Sequence, residues 1–118
     1  MNKVNLGRFG EFIACKYLQQ NNYKIIKQNF FYYGGEIDII AFDNETKELV
    51  FFEIKTRSSK AYGFPSDAID KNKVKRIRKG IEYYIHKNKI NKLGIRADAI
   101  EIFKYNGKNY LNHIKQII

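Results

Sequence analysis

The sequence predicts an α/β fold in which a mixed β-sheet is flanked by helices, in the order α-β-β-β-α-β-β. Three observations predict it: an amphipathic helix pattern near the N-terminus, two central segments (36–42 and 48–56) that are apolar on both faces, and a second amphipathic helix followed by two strand patterns. The chain has 118 residues, 44% of them hydrophobic. We therefore expect a single domain over residues 1–118.

The first helix is predicted from apolar side chains at helical spacing: Leu6, Phe9, Ile13 and Tyr17. Asn5 is the expected N-cap, and Asn21-Asn22 the expected end. Residues 23–28 then form a first strand, and Gly34-Gly35 marks a bend. The second and third strands, 36–42 and 48–56, are joined by the polar turn 43–47 as a hairpin.

Residues 57–66 have the composition of a loop, after which Ser66 is expected to cap a second helix. The buried side of that helix is predicted to contain four residues: Val74, Ile77, Ile81 and Ile85. Segments 95–103 and 110–117 are the fourth and fifth strands, joined by a turn at 105–108.

The net charge is +10 and is unevenly distributed. Residues 1–57 contain eight basic and seven acidic side chains, whereas residues 58–118 contain fourteen and five. A one-sided basic surface attracts polyanions, of which nucleic acid is the commonest, although basicity can also serve only solubility. Cys15 is the single cysteine, and no apolar segment is long enough to span a bilayer, so we expect a cytoplasmic protein with no membrane partner.

Three charged residues stand out on strands that are otherwise apolar. Alternation places Glu53 and Lys55 side by side on one face, and puts Asp38 on the neighbouring strand together with Glu36. A structural ion pair between Glu53 and Lys55 is one explanation. Metal-dependent phosphodiester hydrolysis explains more, because two carboxylates can hold Mg²⁺ or Mn²⁺ while the lysine stabilises developing negative charge.

Glu11 lies on the inward-facing arc of the first helix, one residue after Gly10 and one turn after Gly7. Both glycines are poor helix formers, and we expect another part of the chain to approach closely there. A third acid could thus reach the same metal site, or Glu11 could extend outward at the boundary of the helix.

These residues resemble the YraN-like family of proposed endonucleases, within the PD-(D/E)XK nuclease superfamily, whose core is similar to archaeal Holliday-junction resolvases. The resemblance implies a restriction-endonuclease-like core for this domain. The resemblance runs from Gly7 to about Ile102 and is carried by an ordered set of motifs: Gly7-x-x-Gly10-Glu11, Gly35-Glu36-Ile37-Asp38, Glu53-Ile54-Lys55, Lys73 and Arg96-Ala97-Asp98. The superfamily's proline before the aspartate is Ile37 here.

The resemblance implies roles for individual residues. Asp38 and Glu53 would be metal ligands, with the backbone carbonyl of Ile54 as a further one. Lys55 would be the catalytic lysine and Glu11 an accessory acid. The metal would be Mg²⁺ or Mn²⁺, and a homodimer becomes a reasonable expectation.

Basic residues near this set are candidates for contacts with a phosphate backbone: Arg57, Lys60, Lys71, Lys73, Lys75, Arg78 and Lys79. Where relatives carry arginine, this chain has Phe30-Phe31-Tyr32-Tyr33. These aromatic side chains could belong to the core or a partner interface, or stack on exposed bases.

The sequence thus predicts a metal-dependent endodeoxyribonuclease, with branched or non-B DNA as its expected substrate. The first alternative is a nucleic-acid-binding module on a nuclease fold with little or no catalysis. A second is an assembly factor that uses its aromatic surfaces for protein contacts.

Overall fold

A computed structural model of the chain describes residues 3–57 and 71–118. Its elements follow the predicted order: α1 (Lys3–Gln20), β1 (Tyr23–Tyr32), β2 (Gly35–Asp43), β3 (Glu48–Arg57), α2 (Lys71–Lys87), β4 (Gly94–Tyr105) and β5 (Lys108–Ile114). The five strands form one sheet in sequence order, β1-β2-β3-β4-β5. Only the β3–β4 pair is parallel among these strands. A mixed α/β fold with a five-stranded mixed sheet flanked by two helices is therefore confirmed.

The two helices cover opposite faces of the sheet, and each face has its own core. On the α1 side, Ala14 and Leu18 pack with Val50 and Phe52 of β3. On the α2 side, Ile77 and Ile81 pack with the alternate β3 residues, among them Phe51. The central strands are apolar on both faces because both faces are covered.

The sheet opens at one end, between β2 and β3. The two strands are paired from Asp43–Glu48 as far as Ile39–Phe52, and no backbone pair follows. β2 stays paired with β1 up to Gly35, and β3 stays paired with β4 up to Arg57. The β1–β2 hairpin therefore separates from the rest of the sheet, and a gap forms beside residue 38.

The opposite end of the sheet is closed by the buried guanidinium of Arg96. It donates hydrogen bonds to Asp98 on its own strand, to Asp43 of β2 and Glu48 of β3 (3.1 and 2.9 Å), and to the Tyr23 hydroxyl of β1 (2.7 Å). Although burial opposes ionisation, hydrogen bonds from His113 and Arg96 hold the pKa of Asp98 below its ordinary value. These hydrogen bonds join β1, β2, β3 and β4 through one cluster of paired charges.

Several expected boundaries were wrong. Asn5 lies inside α1 and is not its N-cap, because the helix already includes Lys3. β1 continues to Tyr32, four residues past the expected end, and β5 ends at Ile114 rather than 117. Ser66 and the loop that contains it lie outside the described residues. Within the described part of the chain, no helix is long and apolar enough to cross a membrane.

Close approach of other residues is seen at Gly10 but not at Gly7. A Cβ atom at Gly10 would lie 1.9 Å from Oγ1 of Thr56, so α1 contacts β3 through a position where only a hydrogen fits. At Gly7 none of the described residues lies within 4 Å of an added Cβ, so they show no close approach there.

The two glycines provide a matched pair of substitutions. Gly10→Ala should lower the free energy of unfolding by about 1–3 kcal/mol because the methyl group forces α1 away from Thr56. Gly7→Ala should raise it by about 0.5–1 kcal/mol, since alanine has the higher helix propensity and meets no neighbour. Urea unfolding followed by circular dichroism measures both. An equal effect of the two substitutions would contradict this account of the α1–β3 contact.

Candidate metal centre

Asp38 bridges the gap between β2 and β3 at the point where they separate. Its Oδ2 accepts a hydrogen bond from the backbone N–H of Ile54 at 2.7 Å. A buried N–H needs a partner, and here a carboxylate takes the place of the missing backbone carbonyl. Asp38 is therefore fixed in position by β3 although it belongs to β2.

The regular alternation of β2 breaks at Asp38. Ile40 and Ile37 both pack in the core on the α2 side, while Ile39 between them packs on the α1 side. On the facing strand β1, Asn29 has a positive φ of 55°. The expected regular alternation along β2 was therefore wrong at this point, because one residue changes side within the strand. Glu36 and Asp38 nevertheless lie close together, as expected.

This break brings three carboxylates together. One oxygen from each of Glu11, Glu36 and Asp38 lies within 4.8 Å of the others, and all three side chains are half-buried. With its amide nitrogen directed at the acids, Asn29 donates to Glu11 Oε1 (3.1 Å) and Glu36 Oε1 (3.0 Å). Glu11 from α1 thus lies close to Asp38.

Glu53 lies on the other side of Asp38 and is paired with two lysines. Its Oε1 is 2.8 Å from Nζ of Lys73 on α2 and 3.4 Å from Nζ of Lys55. Glu53 is not a member of the three-acid group, but its negative charge acts on Asp38. The predicted acids therefore meet at Asp38 from two sides, with the Lys55 ammonium beside Glu53.

The pKa values of the acids reflect this crowding. Burial, together with the negative charges of Glu53 and Glu36, raises the pKa of Asp38 to about 8, although the hydrogen bond from the Ile54 N–H opposes the shift. Burial and the charge of Glu36 also raise the pKa of Glu11. Without a cation Asp38 therefore holds a proton that a carboxyl group normally releases below pH 5.

The donor set suits a hard divalent cation. Carboxylate oxygens are the ligands that Mg²⁺ and Mn²⁺ prefer, and the group offers them from three different segments of the chain. A cation would also compensate the negative charge that raises the pKa of Asp38. The side chains present therefore fit Mg²⁺ or Mn²⁺ on chemical grounds.

The predicted nucleic-acid contacts fall into four groups. Four of the basic residues on α2 are exposed: Lys71, Lys75, Arg78 and Lys79. Lys73 is instead half-buried on Glu53, with 14% of its side chain exposed. Arg57 lies at the end of β3, and its buried Nε has no hydrogen-bond partner among the described residues. Lys60 lies outside the described residues.

The acidic centre consists of Glu11, Glu36 and Asp38 with Asn29 beside them. Sequence reasoning missed two of these residues. Glu36 was placed near Asp38 but was not among the predicted ligands, although the Gly-Glu-Ile-Asp spacing was a signal for it. Asn29 had no signal, because its role depends on a left-handed backbone conformation within β1. The exposed Arg76 of α2 also belongs to the basic surface and was not predicted.

The fold and the site define an α/β protein whose sheet carries an acidic centre at its open end. A family model described as "Uncharacterised protein family UPF0102" matches residues 10–102. The chain belongs to this family, which is the YraN-like family that the motifs indicated. Two relatives, both called UPF0102 protein, are similar over nearly all of both chains. The one from Carboxydothermus hydrogenoformans is 37% identical over 118 residues (100% of this chain, 98% of the relative), and the one from Caldicellulosiruptor bescii 42% over 119 (99% and 97%).

Replacing Asp38 should stabilise the metal-free protein in a pH-dependent way. When folding raises the pKa of an acid, the folded protein loses stability as the pH rises. For Asp38 the loss extends from the ordinary pKa, 3.8, to the folded pKa of about 8. Asp38→Asn keeps an oxygen for the Ile54 N–H and removes this loss. We expect the Tm of the variant to exceed that of the wild type by about 4 °C or more at pH 7.5, which corresponds to about 1 kcal/mol.

The gain in Tm should disappear near pH 4. There the side chain at position 38 is neutral in the folded wild type as well as in the folded variant. Asp98→Asn is the matched control, because the low pKa of Asp98 means that this substitution should destabilise the protein at pH 7.5. Differential scanning calorimetry in EDTA measures both variants. A gain for Asp38→Asn that does not change between pH 4 and 7.5 would contradict the assignment.

Proposed function

We propose that this protein is a Mg²⁺- or Mn²⁺-dependent endodeoxyribonuclease with a restriction-endonuclease-like core. The observation that carries the proposal is the position of Asp38, at the gap in the sheet between Glu11 and Glu36 on one side and the Glu53–Lys55 pair on the other. The antiparallel β1-β2-β3 strands, followed by a helix and the parallel strand β4, agree with the superfamily core that the motifs resemble.

The acids would hold the metal. Asp38 is the central ligand, Glu53 and the backbone carbonyl of Ile54 complete the predicted set, and Glu11 with Glu36 supports it from the α1 side. When bound, Mg²⁺ or Mn²⁺ lowers the pKa of a water molecule and offsets charge on the scissile phosphate. The irregular alternation of β2 supports metal binding because it brings carboxylates from both faces of the sheet close together.

Lys55 would act on the reacting phosphate. Its ammonium group lies 3.4 Å from Glu53 Oε1 and about a quarter of the side chain is exposed (24%), so a substrate can reach it. There it can orient the attacking water and stabilise the charge that develops on the phosphate oxygens. Lys73 competes for the same carboxylate at 2.8 Å and so limits how tightly Glu53 holds Lys55.

The basic face of α2 would bind the DNA backbone. Lys73 links α2 to Glu53, so the exposed cations on this helix begin next to the acidic centre. Cations at this spacing neutralise successive phosphates and give binding that weakens as salt increases. The predicted Arg57 contact would extend this track from the end of β3. The predicted preference for branched or non-B DNA remains part of this proposal.

Cleavage of DNA by the purified protein tests the proposal. With Mg²⁺ or Mn²⁺, wild-type protein should cleave at least one member of a panel of single-stranded, duplex, flap and four-way DNA. Asp38→Asn, Glu53→Gln and Lys55→Met should each reduce the rate by at least about 100-fold, because each removes a ligand or the charge that stabilises the transition state.

The matched control is Glu45→Gln, which removes an exposed carboxylate in the turn between β2 and β3 and should leave the rate unchanged. Isothermal titration with Mn²⁺ separates catalysis from binding, since Asp38→Asn should also weaken metal binding. If the wild type binds DNA but shows neither cleavage nor a metal site that depends on Asp38, the protein is a binding module and not a nuclease.

A further inference from the structure

The aromatic run from Phe30 to Tyr33 is divided by the hairpin into two buried and two exposed rings. Phe30 is 6% exposed and packs in the core on the α2 side, and Tyr32 packs against the same core. Phe31 and Tyr33 are 69% and 90% exposed. Core packing therefore explains one pair of rings, whereas the other pair is exposed.

The end of the hairpin is held firmly against α2. The hydroxyl of Tyr32 donates to the backbone carbonyl of Arg76 at 2.6 Å, and its ring lies over Gly80, where a Cβ would come within 2.5 Å. The turn at Tyr33-Gly34 is tight, with Gly34 at a φ of +102°. The two exposed rings are thus presented by a fixed backbone, which lowers the entropic cost of binding.

One of the exposed rings lies near the acidic centre and the other near the basic helix α2. Phe31 is the cross-strand partner of Glu36, one of the three acids, so its side chain projects on the same face as that carboxylate. Tyr33 lies beside α2, where the ammonium group of Lys79 is 5.3 Å from the centre of its ring. A ligand that contacts both rings would therefore lie near Glu36 and near Lys79 of α2.

We infer that Phe31 and Tyr33 stack on unpaired bases, so that the substrate is DNA with a single-stranded segment beside the scissile phosphate. This inference rests on the proposed function, which makes the ligand a nucleic acid. Stacking requires a free base face, which a continuous duplex does not offer but a single strand, flap or junction does. The adjacent cations favour a polyanion over an apolar or basic protein partner.

Fluorescence of 2-aminopurine reports the stacking directly. A single-stranded oligodeoxynucleotide carrying this base is titrated with protein in EDTA, so that no cleavage occurs, and a blunt duplex is titrated in parallel. Wild-type protein should change the fluorescence on binding. Phe31→Ala and Tyr33→Ala should each weaken single-strand binding by roughly fivefold or more, with less than a twofold effect on the duplex.

Two variants serve as controls. Tyr33→Phe keeps the ring and should bind the single strand like the wild type. Tyr105→Ala removes a half-exposed aromatic residue at the β4–β5 end of the sheet, far from the hairpin in strand order, and should have no effect. Circular dichroism verifies that each variant is folded.

The inference is overturned if Phe31→Ala and Tyr33→Ala bind the single strand like the wild type, or if they weaken duplex binding equally. It is also overturned if wild-type protein sediments as a dimer and Tyr33→Ala as a monomer, since the rings would then form a contact between copies of the chain. Failure of the nuclease proposal is a separate result. Ring-dependent stacking without cleavage in Mg²⁺ or Mn²⁺ would retain this inference and remove catalysis.

Discussion

The separation of β2 from β3 beyond the Ile39–Phe52 pair is the constraint on which the candidate site depends. A β-strand that leaves its neighbour exposes backbone donors, and each needs a partner. Here the Asp38 carboxylate supplies one for the Ile54 N–H. This hydrogen bond holds the acid at the gap, in a place where burial and neighbouring charges oppose its ionisation.

Buried charge is compensated differently at the two ends of the sheet. At the closed end Arg96 is surrounded by acids and a tyrosine, so that positive and negative groups are paired within the protein. At the open end three carboxylates face one another, and an asparagine amide lies against two of them. This crowding raises the pKa values of Glu11 and Asp38, and a bound cation would compensate the negative charge.

The acidic centre lies within a strongly basic protein, and this combination shapes the proposed chemistry. Lys55 and Lys73 compensate Glu53, whereas no described ion pair involves Asp38 or Glu36. The exposed cations lie on α2, and Lys73 of the same helix contacts Glu53. Attraction of a polyanion and binding of a divalent cation can therefore occur side by side without cancelling each other.

By itself, the sequence determined the order of the elements and the two apolar faces of β2 and β3, and it indicated Asp38, Glu53 and Lys55 as candidate site residues. These features follow from local periodicity and from charged residues on apolar strands, both of which are visible in one dimension. It also indicated Glu11, because a glycine-flanked acid on a buried helix face is unusual.

Only the tertiary structure decided which acids meet. Glu36 joins Glu11 and Asp38 because β2 breaks its alternation opposite Asn29, and a period-two pattern cannot foresee a residue that changes side. Lys73, predicted as a phosphate contact, pairs with Glu53, since the packing of α2 on β1 and β3 sets its reach. The division of the aromatic run into core and surface was likewise fixed by the contact of Tyr32 with Gly80, which joins residues 48 positions apart.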